Sequence, residues 1–116
     1  MFSGIVVTTV GYDGQGDDGI HRFVLGQWRP NNIELGSSIS CNGVCLTVVE
    51  ARAESFGVEI VEETLHRSTF SSLEPGARVN VEQSVTAATL LDGGIVQGHV
   101  DCVGRVTHLG PSLAVS

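Results

Sequence analysis

Residues 38–48 read Ser38-Ile39-Ser40-Cys41-Asn42-Gly43-Val44-Cys45-Leu46-Thr47-Val48. Two β-favouring runs flank an Asn-Gly pair, the strongest short-range hairpin signal, because a type I′ turn needs positive φ at both central residues. A two-residue turn at 42–43 then sets the register, with Cys41 opposite Val44, Ser40 opposite Cys45, Ile39 opposite Leu46 and Ser38 opposite Thr47. Side chains alternate along a strand and cross-strand partners share a face. One face of the predicted hairpin therefore gathers Ile39, Cys41, Val44, Leu46 and Val48, a core face. The other gathers Ser38, Ser40, Cys45 and Thr47, hydroxyl and thiol groups that can hydrogen-bond a polyol chain or the edge of a heterocycle. Ser and Thr on a strand face also suit plain contact with water, and the residues alone leave both readings open.

The same alternation separates Cys41 from Cys45, which point to opposite faces and so cannot share a disulfide or a metal. With Cys102 they make three cysteines. No C-x-x-C pair is present, so neither a disulfide framework nor a zinc site is expected, and the thiols are read as reduced.

Outward from the hairpin, 15 glycines punctuate runs rich in Val, Ile and Thr, the pattern of short strands joined by turns. Strands are expected at 2–10, 20–25, 38–41, 44–50, 56–61, 77–82 and 95–106. An all-β fold follows, a six-stranded antiparallel Greek-key barrel. Segment 11–19, with Asp13, Asp17 and Asp18, reads as a loop. It lacks the twelve-residue ligand spacing and the flanking helices of a helix-loop-helix calcium site. Residues 62–68 carry helix formers and suit one helical turn, which Leu73, Glu74, Pro75 and Gly76 bring to a stop. Trp28, just before Pro30, is read as a packing residue.

At 116 residues, 41% of them hydrophobic and 16% charged, the chain has the apolar surface for one packed domain. Six basic residues against thirteen acidic ones leave a net charge of −7. Such a surface repels phosphate backbones, so nucleic acid is not an expected partner. No run of eighteen apolar residues and no basic, apolar leader is present, which argues against a membrane and for a cytoplasmic protein.

Read in order, several motifs resemble the N-terminal domain of riboflavin synthase and the related lumazine proteins. They are Met1-Phe2-Ser3-Gly4-Ile5-Val6, Asn42-Gly43-Val44-Cys45-Leu46-Thr47-Val48, Glu63-Thr64-Leu65, Pro75-Gly76, Val79-Asn80-Val81-Glu82 and Gly98-His99-Val100-Asp101. Such enzymes contain two similar barrels, and Gly4-Ile5-Val6 is echoed by Gly98-His99-Val100. The resemblance implies a lumazine- or riboflavin-binding barrel over 1–97 and the opening strand of a second repeat, or a C-terminal extension, over 98–116. It implies 6,7-dimethyl-8-ribityllumazine or riboflavin as ligand, with no metal or redox cofactor. The implied activity is transfer of a four-carbon unit between two lumazines to give riboflavin.

Carried over by position, the ligand contacts are Gly4, Ile5 and Val6; Cys45, Leu46 and Thr47; Glu59, Ile60, Val61, Glu62, Glu63 and Thr64; and Gly98, His99 and Val100. Ser38, Cys45 and His99 match positions tied to catalysis, with His99 the acid-base group. His21, His66 and His108 match no catalytic position. Gly94 stands where the family enzymes carry the first His of Gly-Gly-His-x-x-x-Gly-His. Lumazine proteins, which bind the chromophore without turning it over, also lack it, so a non-catalytic carrier is the alternative. A homo-oligomer is expected, a dimer for a lone barrel and a trimer for a two-domain enzyme.

Overall fold

The computed structural model describes residues 1–30, 33–85, 94–110 and 114–116. Six strands close into an antiparallel barrel: β1 (Thr8–Gln15), β2 (His21–Val24), β3 (Ser38–Cys41), β4 (Val44–Ala51), β5 (Ser55–Val58) and β6 (Arg78–Gln83). Their order around the wall is β1-β2-β5-β4-β3-β6, and β6 pairs back onto β1. A helix, α1 (Glu62–Arg67), and a 3₁₀ turn (Thr69–Ser72) connect β5 to β6. Beyond the barrel, β7 (Val106–His108) and β8 (Ala114–Val115) form a sheet of their own.

The Asn-Gly hairpin has the expected register, Ser38↔Thr47, Ile39↔Leu46, Ser40↔Cys45 and Cys41↔Val44. Asn42 and Gly43 both take positive φ, 50° and 82°. Asn42 is fixed further from β6, its N–H donating to the Asn80 carbonyl at 2.7 Å and its Oδ1 accepting the Asn80 N–H at 2.8 Å. Ile39, Cys41, Val44, Leu46 and Val48 are buried in the core as their alternation predicts. Val10, Tyr12, Phe23, Leu25, Phe56, Val58, Phe70, Val79 and Val81 complete it, with Phe23 stacked on Phe56 at 5.0 Å between ring centroids. Burial of each such large side chain is worth about 1.5–3 kcal/mol, which opposes the entropy of ordering a Gly-rich chain.

Three sequence expectations need correction. β1 runs over Thr8–Gln15 rather than 2–10, and so takes in half of the segment read as a loop. Val10, Tyr12 and Gly14 carry the inward alternation across it. Its glycines mask the strand signal, and the register shift between Tyr12 and Gly14 is absorbed by Gly14 at φ 90°. Only 16–19 stays a turn, where Asp18 is committed to Arg22 at 2.6 Å and to the Ile20 N–H.

β5 ends at Val58, short of the predicted 61, because the chain turns there toward α1 while Ile60 packs on the core. The predicted strand 95–106 reduces to a bridge at Val96 and the short β7. Gly98 at φ 82° breaks the extension. The helical turn expected at 62–68 is α1 itself. Asp92 and Gly93, part of the glycine-rich motif before Gly94, lie outside the described residues. Among the described residues, no helix is long and apolar enough to cross a membrane.

Candidate functional site

The polar face of the hairpin lies on the outside of the barrel. Pairing across β6, β3 and β4 sets Glu82 beside Ser40 and Ser40 beside Cys45. In the next row, Ser38 pairs with Thr47, and the Ser84 hydroxyl donates to the Ser38 carbonyl at 3.1 Å. Ser38 and Cys45 are half-buried and Thr47 is exposed. Ser40, expected with this face, is 7% exposed. Chain lies over both of its cross-strand neighbours, and that seals it.

Over Glu82 lies the N-terminal segment. Glu82 Oε2 accepts the Ser3 N–H at 2.6 Å and the Ser3 hydroxyl at 2.7 Å, while Oε1 accepts the Gly4 N–H at 3.0 Å. Over Cys45 lies segment 94–100, whose Gly98 carbonyl accepts the Cys45 N–H at 2.8 Å. The two covering segments are tied to each other, because Phe2 and Val96 exchange backbone hydrogen bonds of 2.7 Å in both directions. Phe2 is fully buried beneath them, and a Cβ added at Gly98 would stand 3.2 Å from its ring.

Hydrogen bonds thus bring together three groups that are remote in sequence: the start of Gly4, Ile5 and Val6; Cys45, Leu46 and Thr47; and Gly98, His99 and Val100. Ile5, Val6 and His99 stand exposed, Val100 packs on the core, and Leu46 is buried inside the barrel. Leu46 can therefore offer an outside ligand its backbone only. Glu59, Ile60, Val61, Glu62, Glu63 and Thr64 are placed by strand pairing: Val58 pairs with Val48, the residue after Thr47, and Glu59 follows Val58. Val61 caps α1 in extended conformation without a side-chain hydrogen bond. Glu63 is paired with Arg67 at 2.9 Å on the exposed face of α1.

The residues expected at a ligand site carry hydroxyls at Ser38 and Thr47, a thiol at Cys45, carboxylates at Glu59 and Glu62, and an imidazole at His99. Those groups can hydrogen-bond a polyol and the edge of a polar ring. The three cysteines are free thiols. Cys41 sits on the inner face, where burial pushes its pKa up and keeps it protonated and inert.

Sequence reasoning placed no role on Glu82 or Ser3. The signal was present: in Val79-Asn80-Val81-Glu82 the valines alternate inward. An acid at the outward position of a strand flanked by two others is a polar group in need of partners.

The lumazine-binding domain family model matches residues 3–84. The chain belongs to the lumazine-binding domain family. That span includes both ends of the Ser3–Glu82 contact. This lumazine-binding domain is 40% identical over 121 residues to the riboflavin synthase of Meyerozyma guilliermondii, a match covering 93% of the chain and 50% of that protein. It is 46% identical over 78 residues to the riboflavin synthase of Mycobacterium tuberculosis, covering 66% of the chain and 39% of that protein. The chain spans about half the length, or less, of these curated relatives.

Among solved structures, LumP complexed with flavin mononucleotide matches with a TM-score of 0.72 at 24% identity, over 99% of this chain and 66% of that one. LumP complexed with 6,7-dimethyl-8-(1'-D-ribityl) lumazine matches with a TM-score of 0.69 at 26% identity, over 99% and 67%. The lumazine-binding domain thus shares the LumP barrel.

Proposed function

We propose that this domain holds 6,7-dimethyl-8-ribityllumazine or riboflavin on the outer wall of the barrel, over the polar face of the β3–β4 hairpin. The observation that carries the reading is the convergence there of Gly4, Ile5 and Val6 with Cys45 and Thr47 and with Gly98, His99 and Val100 (Ser3–Glu82, Phe2–Val96 and Cys45–Gly98 bonds). Cys45, Thr47 and Glu59 meet the ribityl hydroxyls, and backbone groups around Val61 and Thr64 read the donor and acceptor edge of the pyrimidine ring. Such a pocket discriminates because the wrong ligand leaves its polar groups unpaired.

With a second barrel bearing a second lumazine, the domain supplies half of a riboflavin synthase site. Much of the acceleration then comes from holding two rings face to face. His99 moves a proton to or from the reacting ring, and Ser38 and Cys45 assist nucleophile addition. Residues 1–97 are the binding barrel and 98–116 open the next repeat. The separate β7–β8 sheet, exposed along its whole described length, favours that division. The second barrel comes from further chain or from a partner copy in a homo-oligomer.

One feature favours a second reading, a carrier that binds without turnover: Gly94 replaces the first His of the enzymes' glycine-rich motif. Incubating the purified protein with 6,7-dimethyl-8-ribityllumazine separates the readings. A saturable change in lumazine fluorescence supports the ligand assignment, and growth of riboflavin absorbance supports the enzyme. Bound but unconverted lumazine supports the carrier, and no saturable change overturns the ligand assignment itself.

A further inference from the structure

Residues 4–7 form a bow of chain pinned at both ends to consecutive residues of β6. At its start Glu82 holds Ser3 and Gly4, and at its end the Val7 N–H donates to the Val81 carbonyl at 3.0 Å. Between the pins Gly4 turns in the left-handed region, φ 84°, and Ile5 and Val6 project outward, 47% and 51% exposed. Glu82 itself is 7% exposed and makes no ion pair among the described residues. Its partners are two backbone N–H groups and one hydroxyl.

A buried carboxylate is a costly way to hold a segment down, since apolar packing does so at less desolvation cost. What the carboxylate adds is direction. Both of its oxygens accept from backbone N–H groups of adjacent residues, which fixes the orientation of that stretch of main chain as well as its distance from the wall. Charge-assisted bonds of this kind are about twice as strong as neutral ones.

We infer that Glu82 is a positioning residue of the ligand site. It sets the bow that carries Ile5 and Val6, and through Phe2 and Val96 it holds segment 96–98 over Cys45. This inference rests on the proposed ligand reading and adds to it a residue that touches no ligand. Glu82→Gln has nearly the same size but turns one acceptor into a donor aimed at a backbone N–H, itself a donor. Ser3→Ala removes both bonds of the hydroxyl, the one it donates to Glu82 and the one it accepts from the Ile5 N–H at 3.2 Å, and Ser3→Thr keeps them.

Affinity for 6,7-dimethyl-8-ribityllumazine is measured by fluorescence titration at a temperature where each variant is fully folded. Amide hydrogen exchange is followed at Ser3, Gly4 and Cys45. Glu82→Gln is expected to bind about tenfold more weakly and to exchange faster at Ser3 and Gly4. Ser3→Ala should bind more weakly to a smaller degree, and Ser3→Thr should restore wild-type affinity. A purely structural Glu82 lowers the melting temperature and leaves the affinity of the folded protein alone, and that result overturns the positioning role. Should Glu82→Gln not fold, the Ser3 pair decides by the same criterion. Absence of binding by the wild type removes the ligand reading instead; exchange in Glu82→Gln then shows whether the bow depends on Glu82, and unchanged exchange overturns that too.

Discussion

The carbonyl of Gly98 accepts the Cys45 N–H at 2.8 Å, an approach that only a residue without a side chain permits. A Cβ at 98 would stand 2.8 Å from Cys45 Cβ and 3.0 Å from Cys45 N, and the backbone there has φ 82°. Gly98→Ala should therefore lift segment 94–100 from the wall. Because that segment covers the buried Phe2 ring, some stability should be lost as well, while lumazine affinity falls by about tenfold if the segment is part of the ligand site. The check is amide exchange at Cys45 together with a fluorescence titration. Unaltered Cys45 protection in the variant contradicts the close approach.

Gly43 makes the opposite case. A Cβ there meets nothing within 4 Å, so a substitution costs only its backbone conformation, φ 82°. Gly43→Ala is expected to destabilise the protein by about 1–2 kcal/mol. Urea unfolding should show a lower midpoint with an unchanged slope, since the surface exposed is the same. A midpoint matching the wild type would mean that the type I′ turn does not persist in solution.

These two glycines show what the sequence discloses and what it hides. Asn42-Gly43 acts through local dihedrals, so its turn, the whole β3–β4 register and the inward set from Ile39 to Val48 were legible from eleven residues. Gly98 acts through a contact 53 positions away, with Cys45, and no local pattern announces it. The same is true of Glu82 with Ser3, and of Phe2, whose burial depends on Val96. Strand β1 was misplaced for another reason: Gly11 and Gly14 look like turn residues, and only closure against β2 and β6 makes them strand. The candidate site residues were named by resemblance. The bonds that join their segments were not.

Thr47 is the exposed member of its pair with Ser38, a hydroxyl on the wall without burial to constrain it. Thr47→Val keeps the shape of the side chain and its β-preference but removes the hydroxyl. Folding stability should be nearly unchanged. Affinity for the ribityl ligand should fall by about 1–3 kcal/mol, the range for leaving a buried ligand hydroxyl unpaired. Comparing fluorescence titrations of the two proteins decides it, and equal affinities would remove Thr47 from the ligand site.

His21 should make the barrel sensitive to mild acid. It is 4% exposed, its Nδ1 lies 2.8 Å from the Tyr12 hydroxyl, and its Nε2 is buried without a hydrogen-bond partner among the described residues. Burial holds its pKa below the ordinary 6.5. The unfolded chain therefore takes up a proton near pH 6.5 that the folded chain refuses, and stability rises with pH wherever the unfolded state binds more protons. Stability from this group is complete above that pH and is lost as pH falls toward the folded value. Asp18 and Glu50, both held low by hydrogen bonds from Arg22, act in a separate window below their ordinary 3.8 and 4.5. Urea midpoints measured from pH 7.5 to 5 should decline in the wild type. In His21→Phe, whose somewhat larger ring does not titrate, the decline over that interval should be shallower. An identical slope in the two proteins would show that another group sets the acid response.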